Sequence, residues 1–560
     1  MVYIKSGELT SHIIIVSPEP GNLKRAGLGK LADLLNAKQG GLGDISASLF
    51  TGLRQRGIKC SKFIPNFQTL FRTNAGLDSD QWREMRHTID PAGIYLVDSA
   101  LFKYLPRIYG NKNEHGENLD ALVAARFQEN SRHSIKHIEA SNLGRVIVDL
   151  QDQFPAGALA AYLKSRIIPV VMTMHNVNTI HIPMSFYYDF DLASFMQHLY
   201  FSWQDAAPPG HIDSMATGIK NATVVKAVGK EFLRRIAFGE LDHYSNLPRS
   251  VIEETKIKYW NNQTMAIPNS ISPNVYPENV KTLPFPFSEE TNDIIEAKNK
   301  NKMELQRRVG LIVDPDALLF VSTSRLDTNQ KGVQHFLEGA FPLIHKYPDI
   351  QFFIIGDPIK DDFAESIKYK IIDAALKSNG RIAYSPFDDD LSLLAYAAAT
   401  DSFGASNREP FGQNDVIEFI HGGTATNTDI DGYHDKITLL TSDMLKKSRK
   451  EVIRFAHPFE GQKEEPLKMV RKLRQGKLFG NGFTFKNSDP TGLKWGLSHS
   501  IQVNRILAKD RDLANAHARL RMIEAKEEYS LDKMIDRNIE LYSRIEKDMV
   551  DSGRWKTMIH

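Results

Sequence analysis

The stretch Lys38-Gln39-Gly40-Gly41-Leu42-Gly43-Asp44 lies between an isoleucine-rich run and a helical pattern, and it limits the fold more than any other part of the chain. Ahead of it, His12-Ile13-Ile14-Ile15-Val16 reads as a buried strand; behind it, Ile45, Ala47, Leu49, Phe50 and Leu53 form one apolar helical face ending near Gly57. Strand, glycine loop and helix in that order open a βαβ unit. Cys60-Ser61-Lys62-Phe63-Ile64-Pro65 supplies the second strand, stopped by proline. Glycine carries no Cβ, and the first N–H groups of a helix have no intrahelical partner, so the loop can present donors to an anion or a sugar oxygen. Lys38 adds a mobile positive charge and Asp44 an acceptor at the helix start. The plainer alternative is a tight turn with Asp44 as helix cap.

The same alternation continues down the chain. Residues 145–149 read as a strand leading into Leu150-Gln151-Asp152-Gln153 and then a helix over 157–163, and residues 169–174 as a strand ending in His175-Asn176. A helix over 213–220 and strands at 224–228 and 265–267 follow, and the last strand runs to Asn269. Pro273, Pro277, Pro284 and Pro286 mark a linker of restricted backbone freedom. Beyond it, a strand over 318–324 runs into Arg325-Leu326-Asp327-Thr328-Asn329-Gln330-Lys331-Gly332. Val333, Phe336, Leu337, Ala340, Phe341 and Ile344 then predict one helix. Strands at 351–355 and 381–384 and a helix over 391–399 precede Ala405-Ser406-Asn407-Arg408-Glu409-Pro410-Phe411-Gly412. Ligands of open α/β sheets collect at the C-terminal ends of strands, where this reading places Asp152, His175, Arg325, Lys331 and Glu409.

Composition narrows the partners. Seventy Lys and Arg against 68 Asp and Glu leave a net charge of +2 over 560 residues, so no global field favours nucleic acid or an anionic membrane, and anion binding must be local. The single cysteine, Cys60, excludes an intrachain disulfide and a Cys-rich metal site and suits a reducing compartment. No apolar run is long enough to span a membrane, and the first residues lack a leader pattern, so a cytoplasmic protein without a membrane span is expected.

Taken in order, these motifs resemble those of the glycogen and starch synthases, retaining glycosyltransferases of the GT-B type. The glycine loop resembles their Lys-Thr-Gly-Gly-Leu-Gly-Asp signature, with Gln39 at the threonine position and residues 18–37 inserted before it. Of their His-x-His-Asp-Trp motif only Asp152 remains; Asp149 and Gln151 replace the histidines and Gln153 the tryptophan. His175 matches a His-Asn strand end, and Asn269 is kept in a turn where Ser270 and Ser272 replace glycine and aspartate. Arg325 and Lys331 match a diphosphate-binding pair, one residue further apart than in the family. Glu409 to Gly412 resembles Pro-Ser-x-x-Glu-Pro-x-Gly, while Ile417 holds the place of a second glutamate found in many related enzymes. Residues 481–485 resemble a Thr-Gly-Phe-x-Phe turn, and the charged stretch 443–477 before it reads most simply as an inserted, solvated helical excursion, with acceptor binding as the alternative.

The resemblance implies an α/β fold of two Rossmann-like, doubly wound parallel-sheet lobes with a cleft: 1–275 on the acceptor side, 276–535 on the nucleotide-sugar side, and 536–560 a helix crossing back. It implies transfer of glucose from ADP-glucose or UDP-glucose to an α-1,4-glucan. Arg325, Lys331 and Lys38 would offset the departing diphosphate, with neither metal nor cofactor required, the nucleotide sugar being a co-substrate. Glu409 and His175 would orient the glucose. Asp152 would face the acceptor or the oxocarbenium-like centre, or else cap the next helix. Gly40, Gly41, Asn269, Phe411, Gly412 and Gln413 would line the donor site. Two alternatives stand beside this: the same donor chemistry on a protein, lipid headgroup or small-molecule acceptor, and a catalytically weak sugar- or nucleotide-binding scaffold.

Overall fold

The computed structural model describes residues 9–21, 23, 35, 37, 41–89, 93–142, 145–201, 209–241, 247–459 and 463–555. Lys38, Gln39 and Gly40 lie outside the described residues, as does most of the helix-like segment 31–35. Backbone contacts divide the chain into two units, Met1–Asn269 with Leu531–His560, and Ser270–Ser530.

The first unit is built on β1 (His12–Val16), β2 (Cys60–Pro65), β3 (Ile94–Val97), β4 (Val146–Gln151), β5 (Val170–Met174), β8 (Val224–Ala227) and β9 (Thr264–Ala266), with a small antiparallel hairpin of β6 (His181–Pro183) and β7 (His211–Asp213) beside them. The main strands are parallel in the order β3-β2-β1-β4-β5-β8-β9. In β1 the run Ile13 to Val16 is fully buried, with Ile13 paired to Cys60 on one side and Ile147 on the other. Continuous Ile and Val suit a strand covered on both faces. The order reverses between β1 and β4, so the loops after these strands diverge at their carboxyl ends. The helix Gly41–Gln55 buries Ile45, Ala47, Leu49, Phe50 and Leu53, and against it lies the helix Leu531–Asp551, with Gly52 facing Ile535 so closely that a Cβ would stand 2.5 Å from Ile535 Cδ1. Arg56 adds ion pairs to Asp532 (2.7 Å) and Asp536 (2.6 Å).

The second unit carries β10 (Leu318–Thr323), β11 (Ile350–Ile355), β12 (Ile382–Ser385), β13 (Asp401–Phe403), β14 (Thr424–Thr428) and β15 (Gly482–Phe485), all parallel, in the order β12-β11-β10-β13-β14-β15. Phe320, Phe352 and Phe403 pack as neighbours at centroid separations of 5.6 and 5.5 Å, at the heart of one core face.

Two expectations need correction. The residues from Val333 to Ile344 do not form one helix but a 3₁₀ turn Val333–His335 and short helices Phe336–Gly339 and Leu343–Lys346. Gly332 is left-handed at φ 61°, Gly339 presses on Pro490, and Pro342 cannot supply a helical N–H. Five of the six apolar residues are buried and Leu337 partly so, so the spacing reported burial but not continuity. The charged stretch 443–477 is helical but is not merely solvated. Its helices Ser442–Val452 and Glu464–Gln475 bury Leu445, Val452, Met469, Val470 and Leu473 with Leu513 and Leu520 of the helix Arg511–Glu528. An apolar stripe at helical spacing was masked there by the abundance of Lys, Arg and Glu.

Candidate active site

In the first unit β4 delivers Asp149 and Gln151, and the chain then turns through Asp152, which takes a left-handed φ of 61°. That turn aims the Asp152 carboxylate at the end of β5. Oδ1 accepts the N–H of His175 (2.7 Å) and Oδ2 the side-chain amide of Asn176 (2.6 Å). Asp152 does not cap the following helix Gly157–Ser165, whose cap position is Ala156. Burial pushes its pKa up to about 7, with the N–H groups of His175 and Asn176 pulling the other way and Glu19 adding to the rise.

His175 is held by a relay that begins below the site. Asp149, wholly buried, accepts from Gln151 Nε2 (2.6 Å), Thr173 Oγ1 (2.5 Å), Lys226 Nζ (2.6 Å) and the Tyr542 hydroxyl (2.6 Å). Lys226 also donates to Asn538 Oδ1 (2.9 Å). Because the Gln151 amide nitrogen is committed to a carboxylate, its Oε1 is what faces His175 Nε2, 2.8 Å away. The imidazole therefore carries its proton on Nε2 and keeps Nδ1 as an acceptor. Burial, with Lys226 next, lowers its pKa to about 3, so the ring is neutral at physiological pH. Gln151, His175, Lys226, Asn269 and Asn538 line one small pocket beside Ile45 and Leu49.

The glycine loop is more committed than its sequence suggests. Gly41 begins the helix and is exposed, but the N–H of Gly43 already donates to Glu19 Oε2 (3.2 Å). Gly21, left-handed at φ 69°, crosses so near that a Cβ would lie 1.9 Å from Gly43 O. Underneath, buried Lys62 donates to Ser46 Oγ (2.6 Å), its pKa lowered to about 7 by burial against the opposing pull of Glu19. Lys38 and Gly40, the other residues expected here, lie outside the described residues.

In the second unit Lys331, from the loop after β10, forms an ion pair with Glu409, from the loop after β13; both side chains are mostly buried. Asp327 folds the first loop by accepting the N–H groups of Asn329 (3.0 Å) and Gln330 (2.9 Å). Asn407 joins the two loops, its N–H on Gln330 O (2.8 Å) and its side-chain amide on Asn329 O (2.8 Å). Arg325 is exposed, with Nη2 donating to Gln330 Oε1 at 3.3 Å. Glu409 is fixed through its backbone: its N–H donates to Asp431 Oδ2 (2.8 Å) and its carbonyl accepts from Gly432 (3.0 Å). Gly412 turns left-handed at φ 74°, and the carbonyls of Phe411 and Gly412 accept the buried Lys436 ammonium, which also meets Asp415 (2.9 Å). The Phe411 ring is buried between Lys436 and Tyr529, and Gln413 is exposed. At the place of the family's second glutamate, Ile417 is half-buried, and Glu418 points inward, 3.8 Å from Lys298.

Residues 31–246 match the family of starch synthase catalytic domains. A glycogen synthase of Exiguobacterium sibiricum is 24% identical over 430 residues, which is 71% of this chain and 82% of the relative. Another, from Streptococcus pneumoniae serotype 2, is 22% identical over 503 residues, covering 84% and 90%. The chain is thus similar to starch synthase catalytic domains over residues 31–246 and to bacterial glycogen synthases over most of its length. Its fold is GT-B: the catalytic domain of starch synthase IV from Arabidopsis thaliana, solved with ADP and acarbose, superposes with a TM-score of 0.66 at 17% identity over 95% of this chain and 99% of that one.

Sequence reasoning passed over Glu19, Lys226, Asp431, Lys436 and Tyr542. Lys226 left a signal, a lone cation inside the apolar run Val224 to Val228 that can stay charged only with a buried partner. Glu19, between two prolines in the inserted segment, left none.

Proposed function

We propose that the chain is a hexosyltransferase that moves glucose from ADP-glucose or UDP-glucose to an α-1,4-glucan with retention of configuration. The observation that carries this reading is the Lys331–Glu409 pair beside Arg325 at the carboxyl ends of β10 and β13, in a chain similar to the synthases. A carboxylate and an ammonium held together beside one exposed cation, Arg325, suit a nucleotide sugar: the carboxylate takes sugar hydroxyls, and Lys331 and Arg325 take the diphosphate as negative charge grows on the leaving group. The Glu409 loop is preorganised from below by Asp431, Gly432 and Lys436, so little rearrangement accompanies binding. In the first unit, neutral His175, with Nδ1 free to accept and its ring fixed by Gln151, is suited to a sugar hydroxyl. Asp152 holds the His175 backbone and would act on substrate through that placement.

A second reading keeps the donor and changes the acceptor, because Gln153 stands where the family has a stacking tryptophan. The test is incorporation of labelled glucose from each donor, with and without glycogen, for wild type and Glu409→Ala. Glycogen-dependent incorporation lost in the variant supports the synthase reading and identifies the base. Donor hydrolysis without incorporation points to another acceptor, and absence of both donor binding and turnover refutes the assignment.

A further inference from the structure

At the amino edge of the second sheet, the edge opposite Lys331 and Glu409, lies a cavity of about 290 Å³. It opens where Leu318 begins β10, Thr400 precedes β13 and Gly423 precedes β14, and the helices Ile294–Val309, Pro490–Ala508 and Arg511–Glu528 wall it. Its lining carries Lys298, Lys302, Arg505, Lys509, Arg511 and Arg521 against two carboxylates, Asp316 and Asp349. Some of that charge is answered locally: Arg505 pairs with Asp349 (2.8 Å), and Arg511 with Asp293 and Glu296 (2.9 Å each).

The rest is not. Lys302, 5% exposed, donates only to the carbonyls of Pro315 (3.0 Å) and Ala317 (2.8 Å), and Arg521, 4% exposed, donates to Gly422 O (2.7 Å); neither has an ion pair among the described residues. Buried Lys298 donates to the carbonyls of Tyr396 (3.2 Å) and His421 (2.9 Å), and its nearest carboxylate, Glu418, is 3.8 Å away. Burying cations with carbonyl dipoles as their main partners is unfavourable, and placing two of them, Lys302 and Arg521, at one void beside the Lys298–Glu418 pair more so. The strain shows in their acidity. Burial lowers the pKa of Lys298 and of Lys302 to about 8 each, Glu418 pulling the first back up while Arg521 depresses it further, and Lys298 depressing the second; burial holds the Glu418 carboxyl well above the usual carboxylate range.

We propose that this cavity is a binding site for a small phosphomonoester. Its dianion would neutralise the cluster of Lys298, Lys302 and Arg521, with Lys509 at the exposed rim, and its body would lie on Ile295, Ala398 and Leu507. A dianion matches the charge of Lys302 and Arg521, and three acceptor oxygens suit several ammonium and guanidinium donors at once. The volume equals that of roughly ten waters and falls at the lower end of small-molecule sites, enough for a phosphate on a small body and too little for a nucleotide sugar. The proposal does not depend on the transferase reading, since it uses none of the residues assigned to transfer.

Titration calorimetry of the full chain at constant ionic strength tests it, with glycerol 3-phosphate and inorganic phosphate as probes and glycerol as neutral control. Saturable binding of glycerol 3-phosphate, absent for glycerol, is expected to weaken about tenfold or more in Lys302→Met and Lys509→Glu and to be unchanged in Arg325→Ala at the opposite edge. Inorganic phosphate binding as tightly as the ester would identify the free ion as sufficient; tighter ester binding would assign the difference to the apolar wall. Because Lys509 is exposed, Lys509→Glu decides the matter even if the buried variant folds poorly. The proposal is overturned if neither probe binds saturably, or if binding survives both cavity variants and disappears in Arg325→Ala.

Discussion

Replacing Asp149 by asparagine keeps the shape of the side chain and removes its charge. The carboxylate is wholly buried and accepts four donors, from Gln151, Thr173, Lys226 and Tyr542. An asparagine has one acceptor oxygen with two lone pairs, so it keeps at most two of the four, and its own NH₂ then faces groups that donate. Lys226, 4% exposed, is left with only the neutral amide oxygen of Asn538. Removing one partner of a buried ion pair costs about 3–5 kcal/mol, and a unit of this size loses about 2–4 °C in Tm per kcal/mol, so a fall of roughly 6–20 °C is expected in the transition of the first unit. The double variant Asp149→Asn with Lys226→Met removes the orphaned charge and should recover about half of that loss, a coupling of about 2 kcal/mol between the two positions. Differential scanning calorimetry gives the energies, and hydrogen exchange of segments 146–151 and 224–227 places them in the sheet. A single-variant shift below about 2 °C, or a double variant whose loss is the sum of the two singles, would refute the reasoning that Asp149 and Lys226 are held as a charged pair.

Three further outcomes are expected. Glu409→Ala and Lys331→Ala should each lower kcat/KM for glucosyl transfer about 10- to 150-fold, the worth of one charge-assisted hydrogen bond, and the double variant should fall well short of the product; independent effects would show that the pair does not act as a unit. Asp152 binds its proton more tightly folded, at about 7, than its ordinary value of 3.8, so its contribution to stability is complete below about pH 4 and is lost as pH rises through 7. His175, depressed to about 3, has the opposite sign, contributing above its ordinary 6.5 and losing that as pH falls. The Tm of Asp152→Asn relative to wild type should therefore climb between pH 4 and 7, and a flat difference would refute the assignment. Gly432→Ala would put a Cβ 2.0 Å from the Phe411 carbonyl oxygen; displacing the Glu409 loop in this way should cost about 1–3 kcal/mol of stability and reduce donor affinity, measured by calorimetric titration with ADP-glucose and UDP-glucose.

Much of the frame was legible in the residues because its signals are local. β1, β4, β5, β10 and β11 announce themselves as runs rich in Ile, Val, Leu, Met or Phe, since strands covered on both faces need apolar side chains at most positions. The glutamate of Glu409-Pro410-Phe411-Gly412 and the lysine of the loop before Gly332 were recognisable from their order behind such strands. Less legible were places where packing overrode periodicity. The run from Val333 to Ile344 has helical spacing, but Gly332, Gly339 and Pro342 break it to fit beneath Pro490. In the stretch 443–477, the apolar positions that make a core are diluted by charge until the facing helix Arg511–Glu528 identifies them.

The order and spacing of the residues set the alternation of strand and helix, the loops that carry chemistry, and the likeness to the synthases. Tertiary structure decided which charges meet. Lys331 and Glu409 are 78 positions apart, Asp149 and Lys226 77, and Asp149 and Tyr542 393. A strand pattern reports which side chains leave water, and a buried charge reports that it has a partner, but the partner is chosen by strand order and by the return of the last helix to the first unit. The same holds for Glu19, whose carboxylate takes a glycine-loop N–H, and for the cations around the second unit's cavity. Burial energy is written residue by residue along the chain, whereas electrostatic pairing depends on distances that exist only once the chain has folded.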